Sequence, residues 1–400
     1  MEGMRIALLL LLAGTAFAQT PARVVIRAKT LLDGKGGVFQ NRQIAVENGR
    51  IVSVGPARGH ADYDLGPATI MPGWIDTHVH LNWHFDANHK NVSGRDTPED
   101  ALRYTSENAK ATLEGGFTTV QSVGAAIDAT VRDKINKGEL VGPRILTSYR
   151  QIQGTNGDPE ALRALVRRTK ADGADLIKLF ATSGLGAGGN QTMTDDQIRA
   201  VCSEAKSLGL RTLVHAIGDA GAKAAVLAGC TSIEHGTFVE DATLDLMAQH
   251  GTYFDPNFLV LHNYIEDPAS FNFNDDVVAK LKAALDPTAA LLQRARSHHV
   301  KIVLGTDAVS GAHGRNAAEF IYRVKDGHDK PMDVLISGTS LAAESLGMGK
   351  EIGTIAAGYQ ADLVATADNP LDDITAVRRV VFVMKGGVSY RNTPASRTAR

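Results

Sequence analysis

Eight residues, Gly73-Trp74-Ile75-Asp76-Thr77-His78-Val79-His80, set two imidazoles two positions apart in an apolar, strand-like run. Alternate side chains of a strand share a face, so His78 and His80 can both turn toward one metal ion at the strand's C-terminal end. Asp76 lies on the same face, one step deeper. By itself a His-x-His pair is two polar strand residues as readily as a metal site. Four further apolar runs carry a chemically competent residue in their C-terminal half: Lys178 in Leu176-Ile177-Lys178-Leu179-Phe180, His215 in Leu213-Val214-His215-Ala216, His235 in Ile233-Glu234-His235-Gly236, and Asp307 in Leu304-Gly305-Thr306-Asp307. Such an N/O ligand set suits divalent zinc best, with manganese and cobalt also compatible.

Lys178 is the informative member. An ammonium among apolar neighbours is costly to bury and has no lone pair to offer a metal. Two resolutions stand side by side: an ion-paired structural lysine, or an amine that has taken up CO2 to become an anionic N-carboxylated lysine able to bridge two cations.

The elements that position these residues are legible around them. From about Met71 to Met348 short apolar runs alternate with helical stretches, the pattern of a parallel sheet. Eight strands are expected: Gly73 to His80, Phe117 to Val123, Arg144 to Ser148, Leu176 to Ala181, Arg211 to Ala216, Ser232 to Thr237, Tyr253 to Asn257 and Ile302 to Asp307. Eight strands with intervening helices predict an α/β fold of the closed (β/α)8 TIM-barrel kind, whose catalytic groups gather at the C-terminal ends of the strands. A doubly wound open sheet is the alternative. Thr194-Asp195-Asp196-Gln197 has capping-box spacing, and the longest loop is expected around His262 to Asp276. Both ends of the chain read as short alternating strands, with a hairpin through Asn48-Gly49. A small β-sandwich domain from residues 19–70 and 349–400, flanking a barrel over 71–348, follows from this pattern.

Residues 1–18 read as a cleaved export signal: Arg5, the apolar run Ile6 to Leu12, then Ala16-Phe17-Ala18. That run is far shorter than the roughly 20 residues a bilayer requires, so a periplasmic or secreted protein with no membrane anchor is expected. Cys202 and Cys230 do not make a disulfide framework and read as small core residues, with a single bridge left open. Forty-two basic against 44 acidic residues give a net charge of -2, which excludes a global field for nucleic acid. The oligomeric state is left open, a homo-oligomer included.

In the order of these residues along the chain, the protein resembles the amidohydrolase superfamily. Within it the text is most similar to the imidazolonepropionase-related branch that holds Xaa-Pro dipeptidases and ochratoxinase-like amidases, on Val214-His215-Ala216, Ser232-Ile233-Glu234-His235-Gly236 and Gly305-Thr306-Asp307-Ala308. The resemblance implies a binuclear centre with His78, His80 and Asp307 on one metal, His215 and His235 on the other, and carboxylated Lys178 between them. It further implies a hydroxide shared by the ions as nucleophile, and Asp307 as the catalytic group that passes its proton to the leaving amine. An amide or peptide bond beside a carboxylate is the expected target, a small molecule, with Tyr149, Tyr264, His313 and Arg315 as candidate substrate contacts and Arg315 as the carboxylate fork. The segment after the third strand, Gln151-Ile152-Gln153-Gly154-Thr155-Asn156-Gly157, departs from the Gly-Gly-His text of the dipeptidases.

Rival chemistries remain at this point. A mononuclear deaminase, or a cyclic-amide hydrolase, shares most of the ligands, but a deaminase needs a Glu shortly after the fifth-strand His, where Ala216-Ile217-Gly218-Asp219 stands. The same metals could open a lactone or a phosphotriester. A silent barrel scaffold should have lost ligands, and none is missing. Gly184-x-Gly186-x-x-Gly189 satisfies a dinucleotide fingerprint by letter, yet the next helix starts only near Thr194, so a loop is the better reading.

Overall fold

A computed structural model describes residues 23–393; the expected export signal lies outside the described residues. The chain is a mixed α/β protein. Its two ends meet in one eight-stranded sheet, in the spatial order Val388–Asn392, Val380–Lys385, Leu363–Thr366, Thr69–Pro72, Val24–Leu32, Val38–Glu47, Arg50–Pro56, with Tyr63–Asp64 beside Val24–Leu32. The seam is wholly buried: Thr69–Pro72 pairs antiparallel with Leu363–Thr366, Ile70 opposite Ala365. Ile26, Leu31, Ile44, Leu363 and Phe382 supply its core. Hydrogen bonding thus makes a single sheet where two stacked sheets were expected, because the buried seam splices the termini edge to edge. Asn48 and Gly49 both have positive φ, 52° and 74°, as a tight two-residue hairpin turn requires.

The middle of the chain holds parallel strands separated by helices. Trp74–Val79, Phe117–Ser122 and Arg144–Thr147 form one arc; Gln151–Ile152, Leu176–Phe180, Arg211–Gly218, Ser232–Phe238, Tyr253–Asp255 and Lys301–Ile302 form another. Every residue of Phe117–Ser122 is buried, as expected for a parallel strand covered on both faces. Backbone hydrogen bonds link the arcs at both sides, Thr77 N to Leu304 O at 2.9 Å and Asp175 N to Thr147 O at 2.8 Å. Strand order and direction are those expected, while the ladder itself is broken between the arcs.

The eighth strand is the clearest departure. Only Lys301–Ile302 pairs as a strand, not Ile302 to Asp307. Beyond it Gly305 N donates to Asp255 Oδ1 and Asp307 takes a left-handed φ of 49°, so the backbone bends and keeps only scattered bonds to the first strand, such as Asp307 N to His78 O at 2.8 Å. A Cβ on Gly305 would stand 1.7 Å from Asp255 Oδ2 and 2.9 Å from His78 Cβ, inside a closed core. Gly305→Ala is therefore expected to destabilise the fold by about 3 kcal/mol, the upper end for overpacking. Denaturant midpoints compared at equal slope check this, and an unchanged midpoint would show that the core yields freely.

The segment expected as the longest loop is largely helical, with Phe258–Glu266 and Asp275–Ala283 flanking a 3-10 turn at Pro268–Phe271. Val260, Phe271, Tyr264 and Phe273 cluster there, and the burial this offers outweighs the polar look of Asn272 to Asp276. Thr194 and Gln197 make the expected reciprocal cap on Asp195–Ser207. That helix carries Cys202, which is joined to Cys230 by a buried disulfide, Cα to Cα 5.3 Å. The cysteines are thus both core residues and a covalent pair, a proximity that a sequence separation of 28 hides. No helix among the described residues is long and apolar enough to cross a membrane.

Candidate metal centre

His78, His80 and Asp307 converge. Asp307 Oδ1 lies 3.3 Å from His78 Nε2 and 3.1 Å from His80 Nε2. Asp307 Oδ2 is 4.0 Å from His235 Nε2, and the His235 ring lies 4.7 Å from that of His215, edge to face. Lys178 Nζ, itself buried, donates toward His78 Nε2 at 3.1 Å. The six residues singled out in the sequence therefore face one cavity, His78, Lys178, His215 and His235 from within their strands and His80 and Asp307 from the chain just beyond theirs.

Burial drives the imidazoles toward the neutral form a metal requires. His78 and His215 are held well below the ordinary histidine range, and His235 is lowered to about 3, in each case chiefly by desolvation. Burial also lowers the Lys178 amine to about 8, against the opposing charges of Glu234, Asp307 and Asp255.

Two carboxylates behind the donors escaped the sequence reading. Glu234 Oε2 accepts from His78 Nδ1 at 3.0 Å, while its Oε1 accepts from Ser232 Oγ at 2.7 Å. Asp255 accepts from Thr77 Oγ1 at 3.1 Å and from Gly305 N at 2.9 Å. A carboxylate on Nδ1 fixes the tautomer that leaves Nε2 free to ligate. Asp76 stands apart from the donors. Thr306 N, Thr306 Oγ1 and Asn316 Nδ2 all donate to it, at 3.0, 2.7 and 2.8 Å, so it fastens the first strand to the loop that carries Asp307.

Alternation should have sent Glu234 to the face opposite His235. It fails because His235 has φ of 68° and Gly236 of 62°, so the backbone turns within Ser232–Phe238 and both side chains reach the interior. Left-handed backbone at non-glycine residues costs about 1–3 kcal/mol and concentrates at functional positions. His235 and Asp307 both carry it.

The donors floor a cavity of about 580 Å3. Of the four candidate substrate contacts, Tyr264 lines it and the other three do not. Arg315 is about half exposed and pairs with Glu266 at 2.8 Å, outside the wall. The carboxylate fork expected of it is therefore not there: Glu266, one helical turn along from His262, already occupies the guanidinium. Tyr149, at φ of 61°, turns its ring under the Arg150 guanidinium, 5.0 Å from the ring centre. His313 is half-buried behind His80 and also lies off the cavity. Trp83, Phe180, Gln151 and Asn257 line the cavity and were not singled out; their only sequence signal is position at or near a strand end.

Residues 69–389 match the model of the amidohydrolase family, most of the chain's length. The chain belongs to the amidohydrolase family. It is accordingly an enzyme, a hydrolase acting on carbon–nitrogen bonds in a metal-dependent family. The amidohydrolase is 25% identical to ochratoxinase of Aspergillus niger, over 92% of this chain and 86% of that one. It is 26% identical to imidazolonepropionase of Stenotrophomonas maltophilia, over 85% and 90%. Among solved structures it is similar to a Xaa-Pro dipeptidase with methionine bound in its active site, at 30% identity, 93% of this chain, 100% of that one and a TM-score of 0.85. These relatives fall in the branch of the superfamily that the sequence resembles.

Proposed function

We propose that the protein hydrolyses an amide or peptide bond at a centre of two divalent ions, most suitably zinc. His78, His80 and Asp307 would hold one ion, His215 and His235 the other, with N-carboxylated Lys178 between them. The frame assumed is a (β/α)8 barrel over 71–348 with a small β domain from both ends. The single observation that carries the reading is the meeting of these six side chains on one cavity floor.

The donor chemistry fits. Neutral imidazoles and a carboxylate offer N and O atoms, and His78 Nε2 is presented with its other nitrogen occupied by Glu234. When bound, divalent ions supply an activated water and polarise a carbonyl. The chain's own residues do the rest. Asp307, a carboxylate facing three imidazoles, takes the proton from the water and returns it to the departing nitrogen, so that an acid and an amine leave. Lys178 stands where a carbamate would bridge; a neutral amine is what attacks CO2, and an amine lowered to about 8 supplies a useful neutral fraction near neutrality. The buried Cys202–Cys230 bridge supports an oxidising compartment, periplasmic or extracellular, as its working place.

Metal content per chain, with intact mass under conditions that preserve a carbamate, tests the centre directly. About two ions and the added mass of CO2 on Lys178 are expected. About one ion and an unmodified lysine would overturn the binuclear reading in favour of a mononuclear hydrolase or deaminase. A second check concerns orientation. Glu234→Gln should weaken metal affinity about 10- to 100-fold, because it removes the charge that fixes His78. Chelator competition measures this, and equal affinities would show that His78 needs no such partner.

A further inference from the structure

The cavity above the metal donors has an unusual balance of groups. Lys178 is the only Lys or Arg among its lining residues, and it belongs to the floor. Two segments make the facing wall. One is the 3-10 turn Leu185–Ala187; the other is the helical stretch from Phe258 to Ala283, which contributes Val260, Leu261, Tyr264, Phe273, Val277 and Leu281. Lys280 Nζ donates to Gly186 O at 3.0 Å and ties the segments together. It makes that link from outside and is not a lining residue of the cavity.

The neutral polar groups lining the cavity include three carboxamides, Gln151, Gln153 and Asn257, beside the Tyr264 and Thr237 hydroxyls. Asn257 is fully buried, and neither its amide nitrogen nor its oxygen has a hydrogen-bond partner. It is held rigidly in a left-handed conformation, φ 54°, while the two following N–H groups, of Phe258 and Leu259, donate to Glu319 at 3.1 and 2.6 Å. A carboxamide matches a ligand with one N–H and one C=O, which is a secondary amide.

An unpaired carboxylate taken into this wall would lose its hydration with no cation to replace it. Neutral apolar surface placed there gains about 25 cal/mol per Å2. We propose that the substrate is a neutral secondary amide with bulky apolar substituents facing the Phe258–Ala283 wall, and without a free carboxylate. This rests on the amide-hydrolase reading for the bond that is cut, and on the wall alone for the charge that is refused.

Two measurements on the metal-loaded protein separate these. The first needs no turnover: binding of N-phenyl-1-naphthylamine and of its sulfonate counterpart, 8-anilino-1-naphthalenesulfonate, by fluorescence. The neutral probe is expected to bind about tenfold tighter or more. Val277→Lys, at a half-buried lining position, should reduce or reverse that ratio by putting an ammonium in the wall. Equal or tighter binding of the sulfonate, or a ratio untouched by Val277→Lys, overturns the proposal. The second compares hydrolysis of an N-acyl-phenylalanine with the matching N-acyl-phenethylamine, which lacks only the carboxylate. A kcat/KM about tenfold or more in favour of the phenethylamide is expected, and a preference for the acid overturns it. Should neither amide be cut while the probes keep their ratio, the amide-hydrolase reading fails and the neutral preference of the cavity stands.

Discussion

Lys178→Ala should lower kcat/KM by roughly three orders of magnitude or more and reduce the metal content, because a bridging anion and its charge disappear together. Lys178→Arg should be as inactive as Lys178→Ala. Arginine keeps a cation near Glu234, Asp307 and Asp255, whose charges all act on the lysine. It cannot take up CO2 to give the carbamate. The pair of variants thus separates the two meanings of a buried lysine. An ion-paired structural lysine predicts that the arginine variant works and that the alanine variant unfolds. A carbamate predicts that both fold, both lose metal, and that a short carboxylic acid diffusing into the alanine variant's gap restores part of the rate. Wild-type activity in Lys178→Arg with two ions bound would remove the carbamate from the mechanism.

Asp307→Asn is the second large effect. The amide keeps the shape of the side chain but removes the base that takes and returns the proton. A fall in kcat of about 10^2- to 10^4-fold is expected, with the fold retained. Metal content has to be followed alongside, since an amide oxygen is also a poorer ligand beside His78 and His80, which lie 3.3 and 3.1 Å from Asp307 Oδ1. Loss of activity with both ions in place assigns the proton transfer to Asp307. Loss with one ion missing assigns it to ligation. A fall of less than about tenfold would leave the proton to another group.

The neutral cavity sharpens a contrast with what the family resemblance implies. A carboxylated substrate was expected with Arg315 as its anchor, yet that guanidinium is committed to Glu266 at 2.8 Å on the outer surface. On this proposal the site divides in two: the donors at the floor would cut the amide, and the Phe258–Ala283 wall would select among substrates.

What the sequence determined by itself is whatever follows from short-range periodicity and residue chemistry. Period-two alternation put His78 and His80 on one face. The order of apolar runs placed Lys178, His215, His235 and Asp307 in the C-terminal halves of those runs, and Asn48-Gly49 and Thr194-x-x-Gln197 marked a hairpin and a cap. Tertiary structure alone decided the rest. It brought Glu234 behind His78 through a left-handed His235, set Asp255 against a glycine that must stay small, and joined Cys202 to Cys230. It also folded the stretch after Asn257 into a wall and turned Arg315 away from it. The physical reason is common to all of these. Periodicity is a property of one strand or helix, whereas a hydrogen-bond partner, a steric limit or an ion pair depends on which distant segment arrives, and that is set by packing the whole chain.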